Sequence, residues 1–521
     1  MRKKTLTIVL AAMLAMTMMF AGGCGSGGDG AGSAADGEGS TIVYGSKDYT
    51  AINPALYEHG EINELIFEGL TKHDEENNVV PALAEDWDYD KASKTYTFNL
   101  REGLTFQDGE PLTSEDVKFT LETILDEDNQ SEIISNYTDI DKIECPDETT
   151  VKITLKKPNI AFPEYMTIGV LPEHLLKGED IATCDFNREP IGAGPYKLTE
   201  WDEGQSITLE RFDGFYGDEP KIGTVVFKIV DDDDARAMQM ESGDLDIAQV
   251  TPSAAEDLAE KDGIGIYDMK TADYRAIAYN FNSKFFSKHK ELPAILAYAI
   301  DRDSIVKSVL LGDGEAANSP LQAGEYYDAD IDYPEYDPDK CEELLTKAGW
   351  AKDDEGIWAK DGEELAFTIY AMEDDKVRVD MAKMCAKNLT DIGIAAKAEA
   401  KAELDWENQD SCIIGWGSPF DPDDHTFKVF TTEAGDNYTF YSDSKVDELL
   451  AEARSEEDAD KRKELYGEFQ EQLVKDPAYT FIAYVDANYA VKDNIKGITP
   501  DTILGHHGVG IFYNIEDWEV E

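Results

Sequence analysis

The sequence predicts a mixed α/β protein folded as two lobes, and three observations carry that prediction. About 480 residues follow position 40, more than one hydrophobic core accommodates. Within them, strand-like alternation and helix-like periodicity interleave along the chain instead of segregating into halves. The chain is 42% hydrophobic and 10% aromatic, a globular composition, with no internal repeat or low-complexity stretch after residue 40.

The first 40 residues read differently. Arg2, Lys3 and Lys4 precede an apolar run from Leu6 to Phe20, then Ala21-Gly22-Gly23 and Cys24. A basic start, an apolar stretch and small residues form a secretory signal over residues 1–23. The apolar run is shorter than the roughly 20 residues that span a bilayer. Cys24 directly after the small residues resembles the lipobox of bacterial lipoproteins, which implies lipidation of Cys24 and a stable anchor through more than one acyl chain. Residues 25–40 contain no large apolar side chain. They are expected to form, with Cys24, a flexible tether over 24–40, with an average reach of about 20–24 Å.

Along the remaining chain, Thr95–Leu100, Val151–Leu155, Thr224–Val230 and Leu365–Tyr370 alternate as strands do. Between them, Thr113-Ser-Glu-Asp116 forms a capping box ahead of Val117, Leu121, Ile124 and Leu125, which share one helical face. Asp108-Gly109 marks a tight turn. Leu292–Leu311 reads as helical. Asp337-Pro338 supplies an N-cap and a first-turn proline, and Gly349 ends that helix. Ser444-Lys-Val-Asp447 repeats the capping-box pattern. Lobe crossings are expected near Asn280–Ser283 and near Tyr489. This puts residues 41–282 and 490–521 in the first lobe and 283–489 in the second.

The formal charge of −63 excludes nucleic acid binding, which needs a basic surface. Five scattered cysteines beyond Cys24, with no CxxC pair, are not a disulfide framework. Asp328, Asp330 and Asp332 imitate a calcium loop, but Tyr333 stands where an EF-hand requires glycine. GxSxG, HExxH and GxxxxGK are all absent, and nothing singles out a catalytic pair. The sequence therefore points away from an enzyme.

Val79–Leu125 reads VVPALAEDWDYDKASKTYTFNLREGLTFQDGEPLTSEDVKFTLETIL. Further segments follow in order: Phe186–Trp201, Glu241–Ala248, Ala297–Gly312, Tyr336–Trp350 and Gly415–Pro422. Together they resemble family 5 of the bacterial solute-binding proteins of ABC importers, which bind peptides or nickel complexes. The resemblance implies a two-lobed periplasmic-binding-protein-like fold (type II, with an enlarged first lobe) and a ligand cleft between lobes that close by hinge motion. It also implies a monomer, lipid-anchored on the outer face of the cell membrane, that delivers solute to permease subunits and their ATPases. A peptide is the leading ligand and a nickel or other metal chelate the alternative; no cofactor is expected. A receptor for signalling peptides, or an extracytoplasmic chaperone, shares the fold.

In this family a Gly-Trp loop of the second lobe faces the cleft, here Gly415-Trp-Gly-Ser-Pro-Phe-Asp-Pro-Asp-Asp-His425. Peptide-binding members commonly carry an aspartate just after the tryptophan; this chain has Pro419. Trp416, Gly417, Asp421, Asp423 and Asp424 are the expected ligand contacts, the carboxylates pairing with a peptide's ammonium, and Tyr57 lies in an early segment of the same cleft. Asp421-Pro422 also reads as a plain helix cap. The loop's WG-x-P-F-DP pattern is similar to the nickel-binding branch as well, which makes His425, the adjacent pair His506-His507 and His59 candidate metal ligands.

Overall fold

The structure, a computed structural model, describes residues 39–57, 60–322 and 324–521. The first lobe is organised by a seven-stranded sheet. Its order is Ile264–Met269, Ala487–Lys492, Ile247–Val250, Ser40–Ser46, Ile222–Ile229, Ser206–Arg211 and Tyr196–Asp202. Ser40–Ser46 lies at the centre and runs parallel to both neighbours, while the outer pairings are antiparallel. A parallel arrangement needs a crossover, which the helix Asp233–Ser242 supplies. Asp232 caps that helix by accepting from the Ala235 N–H, and Gly243 ends it at φ +82°.

A second, four-stranded antiparallel sheet enlarges this lobe, in the order Ala84–Asp90, Thr95–Leu100, Thr150–Leu155 and Ile140–Asp147. Thr95–Leu100 alternates as the sequence predicts, with Tyr96, Phe98 and Leu100 turned into the core. Beside it the helix Ser114–Leu125 starts at the expected capping box: Thr113 N–H donates to Asp116 Oδ2 at 2.8 Å. Both sheets of the first lobe pack into one apolar cluster, and the C-terminal Ile511, Phe512, Ile515 and Trp518 join it.

The second lobe has a six-stranded sheet: Gly314–Ala316, Tyr479–Val485, Tyr274–Tyr279, Ser411–Trp416, Ala366–Met372 and Ala395–Lys401. Its core is a separate cluster. Three expectations are corrected here. The chain changes sheet between Met269 and Tyr274 and between Val485 and Ala487, so the crossings lie at residues 270–273 and 486, not at 282/283 and 489/490. Tyr274–Tyr279 is buried at every position. It therefore shows no alternation, and nothing local marks it as the first strand of a new sheet. The segment Leu292–Leu311 is likewise two helices, Leu292–Leu296 and Arg302–Val309. Asp301 caps the second by accepting from Ser304 N–H and Oγ at 3.1 and 2.7 Å. The helix Pro338–Lys347 is capped by Asp337 as expected. In the helix Ser444–Ala453, Asp443 is the cap instead of Ser444, taking the Lys445 and Val446 N–H groups.

Candidate functional site

Three segments meet where the lobes join. The two crossings run side by side: Thr271 Oγ1 donates to Val485 O at 2.6 Å, and Val485 N–H donates to Asp273 O at 3.0 Å. The C-terminal tail forms the third, pairing at Leu504 with the first crossing through Ala272 N–H and Lys270 O. Beyond Leu504 the tail straddles the hinge. Gln249 Nε2 donates to His507 O at 3.0 Å and Tyr489 Oη to Gly508 O at 2.9 Å, both from the first lobe, while His507 N–H donates to Asp273 Oδ2 at 3.2 Å.

This arrangement gathers an ionisable cluster. Asp273 is fully buried, with Oδ1 lying 2.5 Å from Arg275 Nη1 and 3.0 Å from His506 Nδ1. Burial alone would raise its carboxyl, but Arg275 and His506 hold it well below the usual carboxylate range. Burial pushes the His506 and His507 imidazoles down, so both are neutral near pH 7. One donor atom from each of Asp273, His506 and His507 falls within 4.8 Å of the others. Trp416 stacks over His506, with ring centroids 5.9 Å apart at 25°. Gly417, at φ +151°, passes so close to the crossing that a Cβ would lie 2.0 Å from Ala272 O; only glycine fits there.

A cavity of about 300 Å³ lies on the first-lobe side of the cleft. Tyr57, Asn63, Glu64, Phe67, Glu68, Lys72 and His73 line it from the first lobe. The tail contributes Leu504, Gly505, Gly510, Tyr513 and Glu516, and Phe420 closes it from the second lobe. Its carboxylates are poorly compensated. Burial raises Glu68 to about 8, against the opposing pull of Lys72. Glu64 keeps accessible surface within the cavity, yet the surrounding protein raises it to about 7. Neighbouring Glu61 is raised to about 8 by burial and by Glu64, although Tyr489 Oη donates to it at 3.0 Å.

Of the predicted contacts, Tyr57 lines this cavity, and Trp416 and His506 meet at the hinge. The aspartates of the Trp416 loop are engaged elsewhere. Asp421 forms a two-pronged ion pair with Arg462, at 2.5 and 2.7 Å, and also accepts the Asp423 N–H at 2.9 Å. Asp423, 1% exposed, receives Arg454 through Nε and Nη2 at 2.9 and 2.8 Å. Asp424 pairs with Lys428 one turn on, at 3.7 Å. His425 points away from the cavity and the hinge cluster: it is buried, with Nε2–H donating to Pro320 O at 3.3 Å, and burial pushes its imidazole down to about 4. A helix places neighbouring side chains about 100° apart. The turn that aims Asp423 at Arg454 therefore turns His425 into the second lobe. His59 and Cys24 lie outside the described residues.

The sequence reading missed the residues that join the lobes away from the hinge. His73 stacks on Phe420 with centroids 3.4 Å apart at 6°. Tyr165 Oη donates to Asp423 Oδ2 at 2.7 Å, Arg454 Nη1 to Asp139 Oδ2 at 2.8 Å, and Ile160 N–H to Arg454 O at 3.0 Å. Asp423 thus belongs to a contact between the lobes. No local pattern signals such pairs; the one local signal on offer is Phe420, an apolar side chain within a polar loop.

Comparisons with known proteins agree with this architecture. Residues 78–438 match the family described as bacterial extracellular solute-binding proteins, family 5 (middle). Protein XP55 of Streptomyces lividans is 33% identical over 472 residues, covering 88% of this chain and 86% of the relative. The oligopeptide-binding protein AppA of Bacillus subtilis is 30% identical over 547 residues, covering 99% of each. Among solved structures, NikZ from Campylobacter jejuni in complex with Ni(L-His) superposes with a TM-score of 0.86 at 36% identity, over 92% of this chain and 99% of that one. AppA from Bacillus subtilis in complex with a nonapeptide gives 0.83 at 30%, over 93% and 99%. With this match across most of its length and two lobes meeting over a cavity, the chain belongs to family 5 of the bacterial extracellular solute-binding proteins.

Proposed function

We propose that this protein is the extracytoplasmic receptor of an ABC importer and that it captures small peptides between its lobes. The observation that carries the reading is the cavity walled by the first lobe, the C-terminal tail and Phe420 of the second lobe. A solute there touches every part that moves in a hinge closure, so its binding energy favours the shut form. The poorly compensated carboxyls of Glu64 and Glu68 suit a ligand carrying an ammonium, which would draw them into the charged form, and exposed backbone in the tail suits the hydrogen bonding of a peptide main chain. The relatives named for oligopeptide binding support the same ligand class. Under this reading the shut monomer docks on permease subunits served by ATPases, and Cys24 carries the lipid that holds it at the membrane.

A metal chelate is the second reading. The Asp273–His506–His507 cluster favours it, because neutral imidazoles with a carboxylate suit nickel, and NikZ is the structural relative that supports it. Arg275 and Arg378 stand against it, since two guanidiniums beside the same imidazoles oppose a bare cation. A chelate whose own carboxylates face those arginines would relieve that opposition.

The two readings separate in a thermal-shift titration of protein freed of co-purified ligand. A ligand that binds only the native state at a hundredfold excess over its Kd adds about 2.7 kcal/mol of stability. Peptides of mixed sequence are expected to raise Tm. A rise only with nickel plus free histidine, lost in the His506→Ala/His507→Ala variant and kept in His425→Ala, would replace the peptide reading with the metal one.

A further inference from the structure

We infer that the stack of His73 on Phe420 is the length limit of the cavity, so that this receptor takes solutes of two or three residues and excludes extended peptides of six or more. The inference rests on the reading of the cavity as the ligand site. Both rings line the cavity, His73 from the first-lobe strand Thr71–His73 and Phe420 from the second-lobe loop after Trp416. Their centroids are 3.4 Å apart and the rings are 6° from parallel. A peptide backbone threading between two walls needs about 4.7 Å to each neighbour, as a strand does in a sheet. Rings already in van der Waals contact leave it no passage.

The His73 ring is held in place, and the backbone that carries Phe420 is anchored. His73 Nε2 lies 2.7 Å from Glu164 Oε2. Phe420 N–H donates to Ser418 Oγ at 3.3 Å, and the residues that follow are held by Arg462 at Asp421 and by Arg454 at Asp423. The barrier also continues outward: Glu164 adjoins Tyr165, which donates to Asp423, and Arg454 reaches across to Asp139. A ligand extending past His73 would have to break this whole series of contacts to keep the lobes apart.

The volume agrees with the wall. A cavity of about 300 Å³ stands at the small end of ligand pockets, room for a solute of a few residues. An extended peptide advances about 3.3 Å per residue, so eight residues would need about 26 Å.

The test is calorimetric titration of the full chain, freed of co-purified ligand, with the di- and tripeptide fraction and the octapeptide fraction of one mixed-sequence library. Wild type is expected to bind the short fraction at least about 100-fold more tightly, a difference of about 2.7 kcal/mol. Phe420→Ala, and His73→Ala from the opposite wall, are expected to narrow that ratio to below about tenfold by gaining octapeptide affinity. Circular dichroism and melting of each variant establish that it is folded. Wild type binding octapeptides as tightly as tripeptides overturns the limit, whether or not the variants fold. Folded variants that keep the wild-type length profile overturn it as well. Wild type that binds no peptide of either length sinks the peptide reading itself, and the limit with it.

Discussion

The two ends of the cleft are joined by different means. At the hinge the lobes share covalent crossings at 270–273 and 486, with Leu504 of the tail paired to the first of them. At the mouth they are joined by non-covalent contacts: His73 on Phe420, Tyr165 on Asp423, Arg454 on Asp139 and the Ile160 N–H on Arg454 O. Hinge contacts persist whether the lobes are shut or apart, so they do little to choose between the two states. The mouth contacts exist only in the shut form. Each contributes to the equilibrium between states, and hence to apparent ligand affinity. The difference teaches that a residue's distance from the ligand is a poor guide to its weight in binding.

The strongest way to break this comparison is at Arg454. Its removal takes from the buried Asp423 carboxylate its directly bonded counter-charge, leaving Tyr165, Asn159 and the more distant Arg462. Losing one partner of a buried pair costs about 3–5 kcal/mol. Arg454→Met is expected to lower unfolding stability in urea by that amount, and Asp423→Asn in the same chain to restore more than half. No recovery in the double variant would mean that Arg454 acts through Phe427, against which its guanidinium packs at 3.5 Å.

Tyr165→Phe sharpens the comparison, since it deletes one bond between the lobes and leaves the Arg454 pair intact. A hydrogen bond to a charged group contributes about 1.5–3 kcal/mol. Ligand affinity is expected to fall about tenfold or more while the melting temperature of the ligand-free protein barely changes, as calorimetry and thermal scans would show. Loss of stability without loss of affinity would place Tyr165 in the fold and not in lobe closure.

The most gradual effect, spread over several pH units, belongs to the cavity wall of the first lobe. Glu61, Glu64 and Glu68 have carboxyls raised to about 8, 7 and 8 by burial. Between their unfolded values near pH 4.5 and these folded values, the folded chain holds protons that the unfolded chain has released. Their contribution to stability is therefore present at low pH and is lost as pH rises through 7 to 8. The melting temperature is expected to fall between pH 6 and pH 9, and Glu68→Gln to flatten part of that slope. An unchanged slope in the variant would mean that Glu68 is ionised throughout.

Much of the fold is legible in the sequence because its signals are local. Thr113 and Asp116 are three residues apart and form the cap that their spacing implies; Tyr96, Phe98 and Leu100 alternate on a strand with one buried face. The Trp416–His506 meeting was partly within reach, because the resemblance makes both residues candidate ligand contacts. Asp421 and Asp423 were not legible as structural ion pairs, because Arg462 and Arg454 lie 41 and 31 residues away and Tyr165 lies 258 away. The lobe boundary slipped for the same kind of reason: the strand Tyr274–Tyr279 is buried on both faces, and a strand without an exposed face carries no period.

By itself the sequence determined the helices Ser114–Leu125 and Pro338–Lys347 with their caps, the half-exposed strands, the strongly acidic charge, and a motif series specific enough to name the family. Each depends on residues within a few positions of one another, or on composition. Only the tertiary structure decided which aspartates are neutralised, which way His425 faces, that His73 and Phe420 close the cavity, and how far Glu68 is from ordinary acidity. Those properties depend on what stands opposite a side chain in space and on how much water the surrounding protein displaces, and neither quantity is written in the order of neighbouring residues.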